Sequence, residues 1–234
     1  MTSDAELDKV VDAIRASIGS KDAWPPYPGG YPQEVEAALL GSVFSLSAVY
    51  GSPYTGARAV VRRWRDHVGR PLNSLAGRLV ADVDSAGEPT NFRAILKNNA
   101  IAVPNSKDQP TKAAAAYGVA RRLTRFGVDN ADDVRAKNTE DPKGFYRAIT
   151  KEGGVGEAGA TYFLMLLGVD GVKADVMIRR FVAGALAVAE IKSSQSQDLV
   201  AAAAEALQVD MLSLDYAIWD YESRRSRTRR GQPG

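Results

Sequence analysis

The stretch FYRAITKEGGVGEAGATYFL, residues 145–164, decides the fold. It predicts a short amphipathic helix, a Gly-Val-Gly turn and a second, strongly apolar helix. Glycines around one small apolar residue permit a tight turn whose N–H groups face outward, and the next helix adds its own unpaired N–H groups and positive dipole end. We therefore expect Gly153, Gly154, Val155 and Gly156 to hold a phosphate through the main chain, with Val155 pointing into the core. The alternative is an ordinary glycine-rich link between two packed helices.

Helical spacing of apolar residues continues on both sides of this stretch. Leu7, Val10, Val11, Ile14 and Ile18 follow the i, i+3, i+4 rule. The other predicted helices cover residues 34–46, 60–68, 111–126, 160–167, 176–189, 199–207 and 212–221, with a shorter helix around Val134. Prolines make residues 24–32 a loop, and residues 72–110 are expected to form short helices and loops. No strand-like alternation persists, so the sequence predicts an all-α fold, with a polar tail that is disordered beyond Arg225.

The segment GVKADVMIRRF, residues 171–181, supplies a second pattern. Together with the glycine turn and with Ala160, four residues after Gly156, it resembles the helix–hairpin–helix DNA glycosylase superfamily. Ala174 and Met177 stand where that family has valine and histidine, and Arg180 matches the family's arginine. The match spans residues 34–221 and is strongest over residues 145–181.

The resemblance implies a bilobal helical bundle with a helix–hairpin–helix motif and a DNA groove between the lobes. Residues 1–40 and 169–234 would form one lobe with a disordered basic tail, and residues 41–168 the other. It further implies base excision repair: a damaged or mismatched base in double-stranded DNA would be released by hydrolysis of its N-glycosidic bond. Lys173 and Arg179 are the basic side chains expected to contact the DNA.

Asp175 has two interpretations. An aspartate just before a helix is usually an N-cap, which accepts hydrogen bonds from orphan amides. The resemblance implies that the same carboxylate also stabilises positive charge on C1′ of an extruded nucleotide and activates water. Family members that also cut the backbone have a hairpin lysine at the position of Ala158, so a monofunctional enzyme is expected. Lys173 is an alternative nucleophile, although a phosphate contact or a solvated side chain is the favoured interpretation.

Composition excludes several function classes. The chain has no cysteine and a single histidine, His67, which excludes disulfides, zinc fingers and cysteine-ligated iron–sulfur clusters. We expect no cofactor and no metal. The polar N-terminus and the lack of an apolar run near the roughly 20 residues of a membrane span predict a cytoplasmic protein, nucleoid-associated if bacterial. The net charge is only +2, yet arginines cluster at residues 62–65, 121–125, 179–180 and 224–230. Such clusters are typical of a protein that binds a polyanion. The alternative is that they are solvated helix faces.

Two other functions stay open at this point. One is a DNA-binding protein without catalysis, which Ala158, Met177 and Glu157 favour because the charge of Glu157 opposes a phosphate. The other is a helical protein-interaction domain in which the glycine turn is only a turn. The loop aromatics are candidates for stacking on a flipped base, but packing on the core is the favoured interpretation: Trp24, Tyr27, Tyr31, Tyr50 and Tyr54.

Overall fold

The structure, a computed structural model, describes residues 3–48, 51–87, 89–103 and 110–229. These residues form twelve α-helices and no β-strand, apart from one isolated bridge between Ile101 and Thr111, which confirms the all-α prediction. The helices are α1 (Asp4–Ser17), α2 (Val35–Ser45), α3 (Gly56–Val68), α4 (Ala81–Ser85), α5 (Pro89–Leu96), α6 (Lys112–Arg125), α7 (Ala131–Glu140), α8 (Pro142–Thr150), α9 (Glu157–Leu166), α10 (Val176–Leu186), α11 (Ser193–Ala206) and α12 (Met211–Arg229). Short 3₁₀ and π-helical turns occur at Lys21–Ala23 and Leu75–Val80.

The last helix is longer than the sequence predicts. A helix ending near residue 221 and a disordered tail beyond Arg225 were expected, whereas α12 continues to Arg229. Ion pairs one turn apart, between Arg224 and Asp220 and between Arg225 and Glu222, stabilise this extension. Residues 230–234 and Tyr50 lie outside the described residues.

The chain divides into two compact units. The terminal unit consists of Met1–Gly29 and Asp170–Gly234, and the central unit of Gly30–Val169. The boundary near the N-terminus therefore falls at Gly29 rather than at residue 40. The reason is that all of α2 is buried, so that Val35, Leu39 and Leu40 belong to the core of the central unit.

Inside the central unit, α2 packs against α3, α6 and α9. Its one acid, Glu36, is fully buried and accepts hydrogen bonds from Trp64 Nε1 at 2.8 Å and Arg70 Nη1 at 2.7 Å. At the other end of α2, the buried Lys112 ammonium donates to the carbonyl oxygens of Phe44 and Leu46, where a cation favours the negative end of the helix dipole. These contacts fix α2 as the centre of this unit.

The terminal unit is a four-helix arrangement of α1, α10, α11 and α12. Apolar residues on one face of each helix meet in its core, as the helical spacing predicts: Val10, Ile14, Ile178, Val182, Leu199, Ala203, Leu214 and Ile218. Among the described residues of both units, no helix combines the length and the apolar composition that crossing a bilayer requires.

Candidate functional sites

Residues 151–156 connect α8 to α9, and residues 152–156 of this connection form a glycine loop in the central unit. Val155 is only 2% exposed and packs in the core, which confirms the inward orientation predicted for it. Its N–H donates to the carbonyl oxygen of Glu152 at 3.3 Å, which closes the turn. The flanking Gly153 and Gly156 are exposed, so the loop presents backbone on its outer side and one apolar side chain on its inner side.

Several N–H groups of the glycine loop have no acceptor. Within the described part of the chain, none accepts from the backbone N–H of Gly153, Gly154 or Gly156. Glu157 and Ala158 begin α9, whose N-terminus has no side-chain cap, and their N–H groups likewise have no acceptor among the residues that the structure describes. Unpaired backbone donors in a turn that leads into a helix N-terminus can bind an anion.

The two outer glycines of the turn have different structural roles. Gly154 has φ +85°, and a Cβ built on it would overlap the side chain of Ala102. Gly156 has φ −87° and ψ −174°, an extended conformation that any residue adopts, and a Cβ there would meet nothing within 4 Å. The fold therefore requires glycine at position 154 but not at position 156.

In the terminal unit, Asp175 is the N-cap of α10, as expected. Its Oδ1 accepts from the N–H groups of Met177 at 2.7 Å and Ile178 at 3.3 Å. The side chain is 21% exposed, and its Oδ2 lies 4.0 Å from Lys173 Nζ. The cap thus holds the carboxylate in one orientation while leaving it in contact with solvent.

Lys173 lies between two carboxyl groups. The Lys173 side chain is only 14% exposed, which contradicts a solvated side chain, one of the two interpretations favoured in the sequence analysis. Its backbone N–H donates to Oδ1 of the buried Asp215 on α12 at 2.9 Å. Burial lowers the pKa of the Lys173 ammonium, whereas the charges of Asp175 and Asp215 raise it in opposition. Burial, reinforced by the Asp175 carboxylate, raises the pKa of Asp215 to about 8. We call Lys173, Asp175 and Asp215 the aspartate–lysine cluster.

Sequence reasoning missed Asp215. The sequence did contain a signal for it. Leu214, Ala217 and Ile218 recur at helical spacing and are all buried, and Asp215 is an acidic residue among them. A carboxyl group in such a position is buried with the helix face and must find a partner there. Here the partners come from the segment that precedes α10, some forty residues earlier in the chain.

The remaining predicted site residues are distributed as follows. Arg179 is exposed, and its side chain forms no ion pair among the described residues. Arg180 donates to Ser226 Oγ at 2.8 Å and lies 3.9 Å from Glu222. Tyr27 packs edge-to-face on Tyr216 at 5.7 Å. Trp24 and Tyr31 each pack against the core of their own unit, whereas Tyr54 is 75% exposed beneath the Arg62 guanidinium.

These observations define an all-α protein that carries an amide-rich glycine loop and a half-buried aspartate–lysine cluster. Residues 8–223 match the model of a family described as a domain of unknown function, DUF8548, and the chain belongs to that family. Searches of curated proteins and of solved structures found no match to the chain. The matched span includes both the glycine loop and the aspartate–lysine cluster.

Proposed function

We propose that this protein is a monofunctional DNA glycosylase, which hydrolyses the N-glycosidic bond of a damaged or mismatched base in duplex DNA. The sequence resemblance over residues 145–181 supports this proposal. The observation that carries it is the geometry of Asp175: two N–H groups fix one oxygen, and the carboxylate is still partly exposed. A fixed anion next to a developing cation is an effective form of transition-state stabilisation.

In the proposed reaction the target nucleotide is extruded from the helix, and Asp175 faces its sugar. As the C1′–N bond breaks, the electron pair leaves with the base, which takes up a proton, and C1′ acquires positive charge that the carboxylate stabilises. A water molecule then forms the C1′–O bond, and its proton passes to Asp175 or to solvent. The products are a free base and an abasic site, and no cofactor takes part.

The glycine loop is proposed to bind the DNA backbone. Phosphate oxygens accept hydrogen bonds, and Gly153, Gly154 and Gly156 offer N–H groups that have no acceptor in the described part of the chain. Arg179, exposed and without an ion pair among the described residues, is the proposed basic contact in the terminal unit. The phosphate contact predicted for Lys173 is not part of this proposal, because its ammonium lies 4.0 Å from the Asp175 carboxylate.

A DNA-binding protein without catalysis is the second candidate. Lys173 Nζ lies 4.0 Å from Asp175 Oδ2, and this cation offsets part of the negative charge that the reaction would use. The alanine at position 158 and the methionine at position 177 also favour a protein without catalysis. Such a protein would bind duplexes in a salt-dependent manner and release no base.

The test is a panel of duplexes that contain different damaged or mismatched bases, assayed for abasic sites. Asp175→Asn is the control variant, because asparagine is as good an N-cap as aspartate and preserves the start of α10. We expect base release by the wild type, none by Asp175→Asn, and equal duplex binding and thermal stability for both. Equal release by the two proteins would refute the role of Asp175.

Three further outcomes separate the alternatives. Salt-sensitive binding with no release from any duplex would identify the non-catalytic DNA-binding protein. No binding even at low salt would leave the helical protein-interaction domain. A covalent complex trapped by borohydride during turnover would identify a lysine nucleophile, with Lys173 as the first candidate, and would exclude the monofunctional mechanism.

A further inference from the structure

One face of α6 carries a row of arginines beside the glycine loop. Ala114, Gly118, Arg121, Arg122 and Arg125 follow helical spacing and lie on the side of α6 opposite to buried residues such as Ala116, Val119 and Leu123. They line a shallow surface depression together with Glu152, the residue directly before Gly153. We call Arg121, Arg122 and Arg125 the α6 arginine row.

The charges of this row are incompletely neutralised. Arg122 Nε donates to Glu152 Oε2 at 2.8 Å. Arg121 lies over the Tyr117 ring at 5.6 Å, a contact that leaves its charge unpaired. Neither Arg121 nor Arg125 forms an ion pair among the described residues. Of the three guanidinium groups, only that of Arg122 has a carboxylate partner among the described residues.

Glu152 occupies a specific position in the depression. A Cβ built on Gly118 would overlap the Glu152 carboxylate, so a side chain at position 118 would exclude this arrangement. The carboxylate lies on Arg122 and is 21% exposed. A carboxylate of the glycine loop thus occupies the Arg122 guanidinium in the free protein, and a phosphate has the same charge sign and the same type of acceptor atoms.

We propose that the α6 arginine row binds a phosphate of the DNA strand next to the one that the glycine loop holds, and that this phosphate displaces Glu152 from Arg122. This inference rests on the proposed function, because it takes duplex DNA as the partner. Arginine pairs with phosphate in a bidentate manner, and the neighbouring loop supplies unpaired backbone N–H donors. Guanidinium groups and backbone amides on one surface are the donors that sequence-independent DNA contacts use.

The test compares three variants by fluorescence anisotropy on an undamaged labelled duplex over a range of salt concentrations. Arg121→Ala/Arg125→Ala removes two charges of the row. Lys9→Ala/Arg15→Ala removes two exposed charges from α1 and is the charge-matched control. Glu152→Gln frees Arg122 while keeping the size of the side chain.

We expect the row variant to bind about tenfold more weakly at low salt, with the magnitude of the slope of log K against log salt reduced by about 1, because one phosphate contact is lost. The control variant should stay within about twofold of the wild type, and Glu152→Gln should bind several times more tightly. Wild-type affinity and slope in the row variant would overturn the proposal, and an unchanged affinity in Glu152→Gln would overturn the displacement. Equal losses in the row and control variants would also overturn it, since net charge alone would then explain the effect.

Base release on the lesion panel separates this inference from the proposed function. Release together with an unaffected row variant would overturn the α6 contact and leave the glycosylase proposal standing. A weakened row variant without any base release would support the α6 contact and refute the glycosylase proposal. Failure of the wild type to bind duplex DNA would overturn both.

Discussion

Substituting alanine for Gly156 tests whether the glycine loop binds a phosphate or only joins two helices. The structure leaves open space around the position, and its φ of −87° suits any residue. Alanine reduces the entropy of the unfolded chain but is a poorer N-cap than glycine, and these effects oppose each other. We expect the free energy of unfolding to change by no more than about 0.5 kcal/mol.

Gly154→Ala provides the structural contrast. At φ +85° an alanine pays about 1–2 kcal/mol of left-handed backbone strain, and overlap of its Cβ with Ala102 adds about 1–3 kcal/mol. The sum is about 2–5 kcal/mol of lost stability, which urea denaturation would measure directly. Gly184→Ala is the control variant. Gly184 also lies in open space, but it is in α10 and outside the proposed phosphate-binding loop. This variant should stabilise the protein by up to about 1 kcal/mol.

Binding gives the decisive readout. A methyl group on Gly156 projects from the exposed side of the loop, where a phosphate would approach the unpaired N–H groups. Losing one hydrogen bond to a charged acceptor corresponds to about 1.5–3 kcal/mol, so duplex affinity should fall by about tenfold or more. If Gly156→Ala folds with wild-type stability and binds duplex DNA as tightly as wild type and Gly184→Ala, the loop does not hold a phosphate and the reasoning is refuted.

Two further predictions concern the buried charges. Arg70→Ala removes the cation from the fully buried Glu36 carboxylate, so it should lower the free energy of unfolding by about 3 kcal/mol, as measured by urea denaturation. A loss below about 1 kcal/mol would contradict the importance of this pair. Asp215→Asn should become more stable relative to wild type as the pH rises from 5 to 8. With its pKa raised to about 8, folded Asp215 keeps a proton that the unfolded chain releases, so wild-type stability falls by up to about 1.4 kcal/mol per pH unit in this window. Parallel melting-temperature profiles for the two proteins would count against that linkage.

The sequence predicted those features that depend on local chemistry. Periodicity located the helices outside residues 72–110, and the Gly-Val-Gly turn with its inward Val155 follows from residue types alone. The capping role of Asp175 could be predicted because an N-cap is a contact over two or three residues. It was also possible to foresee that Trp24 and Tyr31 pack on cores, since aromatic residues in a proline-rich loop have a large apolar area to bury.

Features that depend on distant residues could not be predicted. Asp215 accepts a hydrogen bond from the backbone N–H of Lys173, 42 positions earlier in the chain, and no periodic pattern predicts this contact. The Glu152–Arg122 pair joins the glycine loop to α6 across 30 positions, so its effect on the arginines of α6 could not be predicted from the sequence. The unit boundary at Gly29 follows from the complete burial of α2, which depends on helices that arrive from elsewhere in the chain.

Two clusters of buried charge among the described residues differ in what the fold needs from them. The Glu36 carboxylate accepts hydrogen bonds from Arg70, from Trp64 and from the backbone N–H of Ser74, so one cation and several donors stabilise its single charge. In the aspartate–lysine cluster one ammonium serves two carboxyl groups, and the pKa of Asp215 rises to about 8 as a result of burial and of the neighbouring Asp175.

A helix start needs only one acceptor, which serine, threonine or asparagine also supplies, and it needs neither a second carboxyl group nor a half-buried lysine. Apolar residues of similar volume commonly replace buried ion pairs without loss of stability. The second carboxyl group and the half-buried lysine of the aspartate–lysine cluster are therefore not required for the capping of α10. Ionisable groups with perturbed pKa values around a partly exposed carboxylate occur at reaction sites and also in structural ion-pair networks, and base release by the wild type but not by Asp175→Asn would assign the cluster to the first class.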